Sequence, residues 1–519
     1  MKKSLILFIV AVILGLSACS DLNDITQEQN EAVKYEPYEV IIYYAVEYFE
    51  EIDELTLNDI IDIANQRRQS LVGAGEERLS ELIKRIEPPE ELSDLSRLLQ
   101  PPENRQIHIT KEEAIHDAEV LLELLRYGYG AYAHFGGDEV FLPMFERIKE
   151  ELSEREIWHS GLVGQVFANH LETVIADNHS IMFGRRMGIF YQFYVWETPF
   201  DLINNKFYHR ETGRYVTEIV DYNINDVFRL AMDEGGNFFY IPIFEKYSNI
   251  LTYGRYDFTF IFNDGSQEVV TLRNHTSVSQ PTGPPVLHFI NDIPIVSIKI
   301  MGHPYFDTLQ HHMLQETDFV NTQEFLSFVD DLKDEPVIII DIRSNKGGHG
   351  ILAPLWLYLL TGKAVHQSYV IFIPFIYFNW ENLPLSVDLD NPEYLISEED
   401  SKFFNEFSQS IQRDTVISND KLIIMLIDRH TMSAGEHFVD LLFNMENTLV
   451  IGQNTFGIGI TSFPEFFYLP YSGVEIGIGL QHYPFPESHF TEGRGFAPDV
   501  WVIGDALTAA LAIIQAKDS

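Results

Sequence analysis

Apolar residues recur along this chain with changing periods, and the changes divide it. Residues 5–16 form an unbroken apolar run. Residues 40–63 and 79–86 carry apolar positions at helical spacing, interrupted by Pro88-Pro89 and Pro101-Pro102, so 19–105 is expected to be an acidic helical stalk or adaptor. Thr110-Lys111-Glu112-Glu113 is a capping box, after which Ala114, Ile115, Ala118, Leu122 and Leu125 line one helix face. Further helical spacing over 141–152 and 162–175 completes a small helical domain, 106–185. From 189 to 272 the chain turns to aromatic and β-branched runs. Asn263-Asp264-Gly265 there sits between two alternating segments, which predicts a hairpin within a mostly β insert spanning 186–285.

From 286 to 519 strand and helix alternate. Residues 295–300, 337–342, 422–427 and 448–451 read as strands, the middle two fully buried, with helices over 322–332 and 434–443. That alternation predicts an α/β layer containing parallel strand pairs. An aromatic and acidic stretch, 365–418, interrupts it and is long enough for a lid, a substrate wall or a contact between copies.

Composition narrows the partners. The 519 residues are 45% hydrophobic and 22% charged, enough apolar material for packed cores. Acidic residues outnumber basic ones 78 to 35, a formal charge of −43, which repels nucleic acid and anionic headgroups. No phosphate-binding loop or EF-hand pattern occurs, and His311-His312 lacks a spaced partner, so neither cofactor nor metal is expected.

The single cysteine excludes an internal disulfide. Lys2 and Lys3 precede the apolar run, which ends in Leu16-Ser17-Ala18-Cys19. This is the layout of a signal peptide, 1–18, and Leu-Ser-Ala-Cys resembles the lipobox of bacterial lipoproteins. The resemblance implies cleavage before Cys19 and acylation there, each buried CH₂ contributing ~0.8 kcal/mol to membrane anchoring. A membrane-tethered protein working outside the cytoplasm is the expectation.

Three turns carry candidate chemistry. Asp341-Ile342-Arg343-Ser344-Asn345-Lys346-Gly347-Gly348 follows a buried strand, where backbone N–H groups can approach a ligand. Asp428-Arg429-His430-Thr431-Met432-Ser433-Ala434-Gly435-Glu436 follows another and opens a helix, so Ser433 sits beside unpaired N–H groups at a positive helix end. Ser433-x-x-Glu436 also reads simply as a capping box. Thr431 stands where the nucleophile elbow of α/β-hydrolases has glycine. Glu492-Gly493-Arg494-Gly495-Phe496-Ala497-Pro498-Asp499 is, alone, a turn.

Together with Gly452-x-x-Thr455-x-Gly457, these blocks resemble, in order, those of the S41 peptidases, the carboxyl-terminal processing proteases and the tricorn core. The resemblance implies a crotonase-like α/β core with a helical N-terminal part and a PDZ-like insert, acting on peptides or proteins. Processing proteases of the family place a lysine base immediately after the second glycine of that block. Here Ile458 occupies the position and cannot accept a proton. The tricorn-like branch instead takes a histidine from an Asp-x-His-Ser/Thr element, matched by Asp177-Asn178-His179-Ser180. The resemblance thus assigns Ser433 as nucleophile, His179 as base and Glu492 as its orienting carboxylate. It also gives the N–H groups of Gly348 or Gly347 and of Ala434 as oxyanion hole, and Asn178 as a polar helper. His430 and His437 compete for the base role, and Glu487 for that of Glu492. A rival reading is a non-catalytic lipoprotein that uses the same cleft to bind peptides or a partner; a solute-binding lipoprotein is a third.

Overall fold

Every position of the strand Leu422–Ile427 is apolar and buried, a composition suited to a strand covered on both faces. Its side chains alternate between two cores: Ile423, Met425 and Ile427 enter one, while Leu422, Ile424 and Leu426 enter the other. The computed structural model describes residues 55–72, 95–302 apart from 104, 249–253, 278 and 282, then 316–372 apart from 351 and 366–370, and 416–517 apart from 487–488. Cys19, most of the expected stalk, Glu487 and residues 373–415 of the aromatic interruption lie outside the described residues.

Around Leu422–Ile427 the sheet runs in parallel through Ile293–Ser297, Val337–Asp341, Leu422–Ile427, Thr448–Gly452 and Val500–Val502. One face is covered by Ala434–Leu442 and Leu352–Thr361, which bring Phe438 and Trp356 together at 6.1 Å between ring centroids. The other face is covered by Ala506–Lys517 and by Leu57–Ser70, through Leu57, Ile60 and Ala64.

Two expectations need correction here. Leu57–Ser70, expected in the stalk, is a layer of the core. Fully buried Arg68 forks onto Asp499 at 3.1 and 2.8 Å and donates to Thr448 Oγ1 at 2.8 Å. Truncating one side of such a buried pair typically costs about 3–5 kcal/mol. The β-rich stretch, expected as an insert, partly continues the core sheet. Phe228–Met232 is buried at every residue and pairs in parallel with Val500–Val502, Trp501 facing Ala231. Phe238–Ser248, Phe200–Ile203 and Lys206–His209 extend it further. The hairpin forms where expected, Arg255–Phe262 against Gln267–Arg273, with Gly265 at φ +78° in the turn.

The helical part packs Lys111–Gly128, Gly137–Leu152 and Ser160–Leu171 around Phe141, Phe145 and Phe167. The capping box is present, Thr110 Oγ1 accepting from Glu113 N at 3.2 Å and Glu113 Oε2 from Thr110 N at 2.8 Å. Just beyond these helices, Ile181–Met182 pairs with Glu475–His482, Met182 opposite Ile476. That pairing stitches the segment containing His179 to the α/β part.

Candidate active site

The turns after Val337–Asp341 and Leu422–Ile427 are bonded to one another before any reactive group is considered. Asp428 accepts from Ser344 N at 2.8 Å and His430 N at 3.0 Å, and Thr431 Oγ1 donates to Ile342 O at 3.0 Å. Met432 N reaches Asn345 O at 2.9 Å. Gly347, at φ +86°, lies so close to Ser433 that a Cβ on it would sit 2.7 Å from the serine Cβ. Ser433 itself has φ +50° and ψ −119°, a strained conformation for a residue with a side chain, of a kind costing about 1–3 kcal/mol. Its N–H donates to Glu436 Oε2 at 3.1 Å, the backward half of the capping box.

Buried Glu436 also accepts from Thr455 Oγ1 at 2.6 Å, Gly457 N at 2.7 Å and Ile458 N at 2.8 Å. Burial pushes its carboxyl above the ordinary range while these donors pull the other way. Ile458 is itself buried, with its N–H tied to that carboxylate. The lysines near these turns are engaged elsewhere, Lys299 on Arg343 O at 2.7 Å and Lys346 on Ser279 Oγ at 3.4 Å.

His179 arrives from 254 residues away, its Nε2 3.0 Å from Ser433 Oγ. Asp177 anchors the segment: its carboxylate accepts from His179 N at 2.9 Å, Tyr129 OH at 2.9 Å, Ser180 Oγ at 2.7 Å and Thr461 Oγ1 at 3.0 Å. Burial pushes the imidazole down to about 4; Asp177 and the Thr461 carbonyl favour its charged form, and Arg186 opposes it. The rival histidines point elsewhere. His430 Nε2 donates to Ser277 O at 2.9 Å and His437 Nε2 to Gly459 O at 3.3 Å, the latter ring packed 4.1 Å from Tyr483.

Glu492 is near but not where the resemblance puts it. Its Oε1 accepts from Asn178 N at 2.8 Å and its Oε2 from Gly459 N and Ile460 N, both at 3.1 Å. It makes no hydrogen bond to His179, whose buried Nδ1 has no hydrogen-bond partner among the described residues. Burial, then the neighbouring Asp177 charge, push the Glu492 carboxyl well above its ordinary value. Asn178 Nδ2 donates to Gly457 O at 2.9 Å and Ile189 O at 3.1 Å. Of the two glycines, Gly347 N is occupied by Asn345 Oδ1 at 2.8 Å. Gly348 packs against the Met301 carbonyl, where a Cβ would sit at 2.0 Å. The roles of Asp177 and Glu436 escaped the sequence reading, although both residues stand inside the quoted blocks; neither block reveals which donors converge on them.

Residues 379–502 match Peptidase family S41. No match is found among curated proteins. Among solved structures the chain is similar to mature CPAF, at 13% identity and a TM-score of 0.39 over 78% of this chain and 96% of that one. It is also similar to the photosystem II D1 C-terminal processing protease, at 10% identity and 0.35 over 79% and 97%. The tricorn protease follows at 13% and 0.31, over 79% of this chain and 36% of that one. The family match runs across the Ser433 turn, Glu436 and Glu492, and over that stretch the chain is similar to the serine-type peptidases of family S41.

Proposed function

We propose that this chain, built on a crotonase-like core, hydrolyses peptide bonds with Ser433 as nucleophile and His179 as base and then acid. The contact between His179 Nε2 and Ser433 Oγ carries the reading. Burial keeps the imidazole neutral at physiological pH, so Nε2 can accept the hydroxyl proton as Oγ attacks the substrate carbonyl carbon. The oxygen turned negative in that step would lie against Gly348 N and Ala434 N, each such donor being worth roughly 3–4 kcal/mol. His179 then passes its proton to the departing amine, leaving an ester on Ser433 that water cleaves by the same relay. Glu492 acts in this scheme by fixing Asn178, the residue before the base, and not by bonding the imidazole.

The reading extends to a lipid anchor at Cys19 holding the enzyme on a membrane, outside the cytoplasm. The Leu-Ser-Ala-Cys sequence supports it. A Cys19→Ala chain that still fractionates with membranes and still incorporates labelled palmitate would remove this part alone.

A serine-reactive fluorophosphonate probe tests the chemistry. Labelling of the wild type that is lost in Ser433→Ala is the expected result. Wild-type protein that binds peptide but takes no label would leave the non-catalytic binder as the correct account.

A further inference from the structure

The loop carrying Glu492 is held from the far side by the β-rich region. Arg494, almost fully buried, forks onto Glu245 of strand Phe238–Ser248, Nε to Oε2 at 2.7 Å and Nη2 to Oε1 at 2.9 Å. Arg229, on the adjacent strand, lies 3.8 Å from the same carboxylate. Burial would raise the Glu245 carboxyl, yet the neighbouring guanidiniums bring it below its ordinary value, so the pair is ionised. A two-point fork fixes direction as well as distance, which a single contact does not.

What that fork holds is the junction of the site. Gly493 N donates to Gly457 O at 2.7 Å, and Tyr191 N to Gly493 O at 3.0 Å. Arg429, four residues before Ser433, donates to the carbonyls of Thr455, Arg494, Gly493 and Tyr191, with its guanidinium 4.8 Å from the Phe193 ring. One short loop therefore touches the Glu492 carboxylate that fixes Asn178, the 455–460 segment that Glu436 ties to Ser433, and a strand of the β-rich region.

We propose that Glu245 and Arg494 are a positioning pair through which the β-rich region sets the alignment of His179 and Ser433. The proposal rests on the peptidase reading above. Neither residue touches the reacting atoms; both act through the backbone of 492–495. A pair that merely braced the fold would change melting temperature and leave turnover of the folded protein alone. A positioning pair changes turnover itself, because small misplacements of reacting groups are expensive in rate.

The test uses the full chain with a cleaved peptide and the fluorophosphonate probe, well below each variant's melting temperature. Glu245→Gln removes the charge; Arg494→Lys keeps a charge and removes the fork. The double variant E245Q/R494Q leaves neither member of the pair buried alone, and serves if a single variant does not fold. The expected result is a fall of about tenfold or more in kcat, with probe labelling slowed in proportion and KM within about twofold. Unchanged kcat and labelling alongside a lower melting temperature would overturn the proposal, as would a rise in KM at constant kcat. Wild-type protein left unlabelled at Ser433 would instead remove the peptidase reading itself, and this role with it.

Discussion

Glu436 and Glu492 are both buried carboxylates, each receiving three backbone N–H groups, and they divide the candidate active site between them. Glu436 takes Ser433 N, Gly457 N and Ile458 N; Glu492 takes Gly459 N, Ile460 N and Asn178 N. Four successive residues, 457–460, are thus strung between the two, one carboxylate reaching on to Ser433 and the other to Asn178, the neighbour of His179. Neither bonds an imidazole. At the proposed site these carboxylates fix main chain, and the Ser433 and His179 side chains meet where their backbones are held from opposite ends of one loop.

The largest effect should come from the reactive groups themselves. Ser433→Ala and His179→Ala are each expected to lower kcat on a cleaved peptide by at least about 10⁴-fold, and the double variant by little more, since groups acting as a unit are not additive. Strictly multiplicative losses would mean that the two do not act as a pair.

Replacing the carboxylates separates their two halves of the site. In Glu436→Gln one amide face must turn a donor toward main-chain N–H groups, leaving a buried donor unpaired at about 1–3 kcal/mol. Because Ser433 N is among its partners, kcat should fall roughly 10²-fold, read as slow fluorophosphonate labelling. In Glu492→Gln the disturbance is one residue removed from the base, and a fall of about tenfold is expected. If Glu492→Gln proved as damaging as His179→Ala, Glu492 would be acting on the imidazole directly, and the division drawn between the carboxylates would fail.

How much of this was legible follows from the range of each interaction. The strand Leu422–Ile427 declares itself because every residue is apolar, and Ser433 because its turn, cap and helix are contiguous. The pairing with His179 was reachable only through the family resemblance, for nothing local links residues 254 positions apart. The partners of Glu492 are main-chain N–H groups, which every residue type but proline carries, so no residue identity could announce them. Arg67 and Arg68 fall within the stretch expected as a stalk; that both reach Asp499 depends on a sheet face which only the assembled strands create. Phe228–Met232 lies within the stretch expected as a mostly β insert, and Phe-Arg-Leu-Ala-Met does not say that it pairs with the core strand Val500–Val502.

The finest separation of the two carboxylates lies in the pH profile. Burial holds His179 down at about 4, against Asp177 and with Arg186, whose guanidinium bonds Asn178 O and remains exposed. A base must be neutral, so activity should be flat near neutrality and fall as pH drops through about 4. Stability moves in the same direction: between the ordinary histidine value and about 4 the unfolded chain takes up a proton that the folded one refuses, so folding weakens as pH falls across that window. His437, also held near 4 by burial, adds to this with the same sign. Arg186→Gln removes a like charge and should move the acidic limb of kcat/KM to higher pH, the more so at low salt because Arg186 is exposed. Glu492→Gln, acting through main chain, should lower the plateau and leave that limb in place. An acidic limb that moves with Glu492→Gln and ignores Arg186→Gln would put the carboxylate's field, not its grip on Asn178, at the centre of its role.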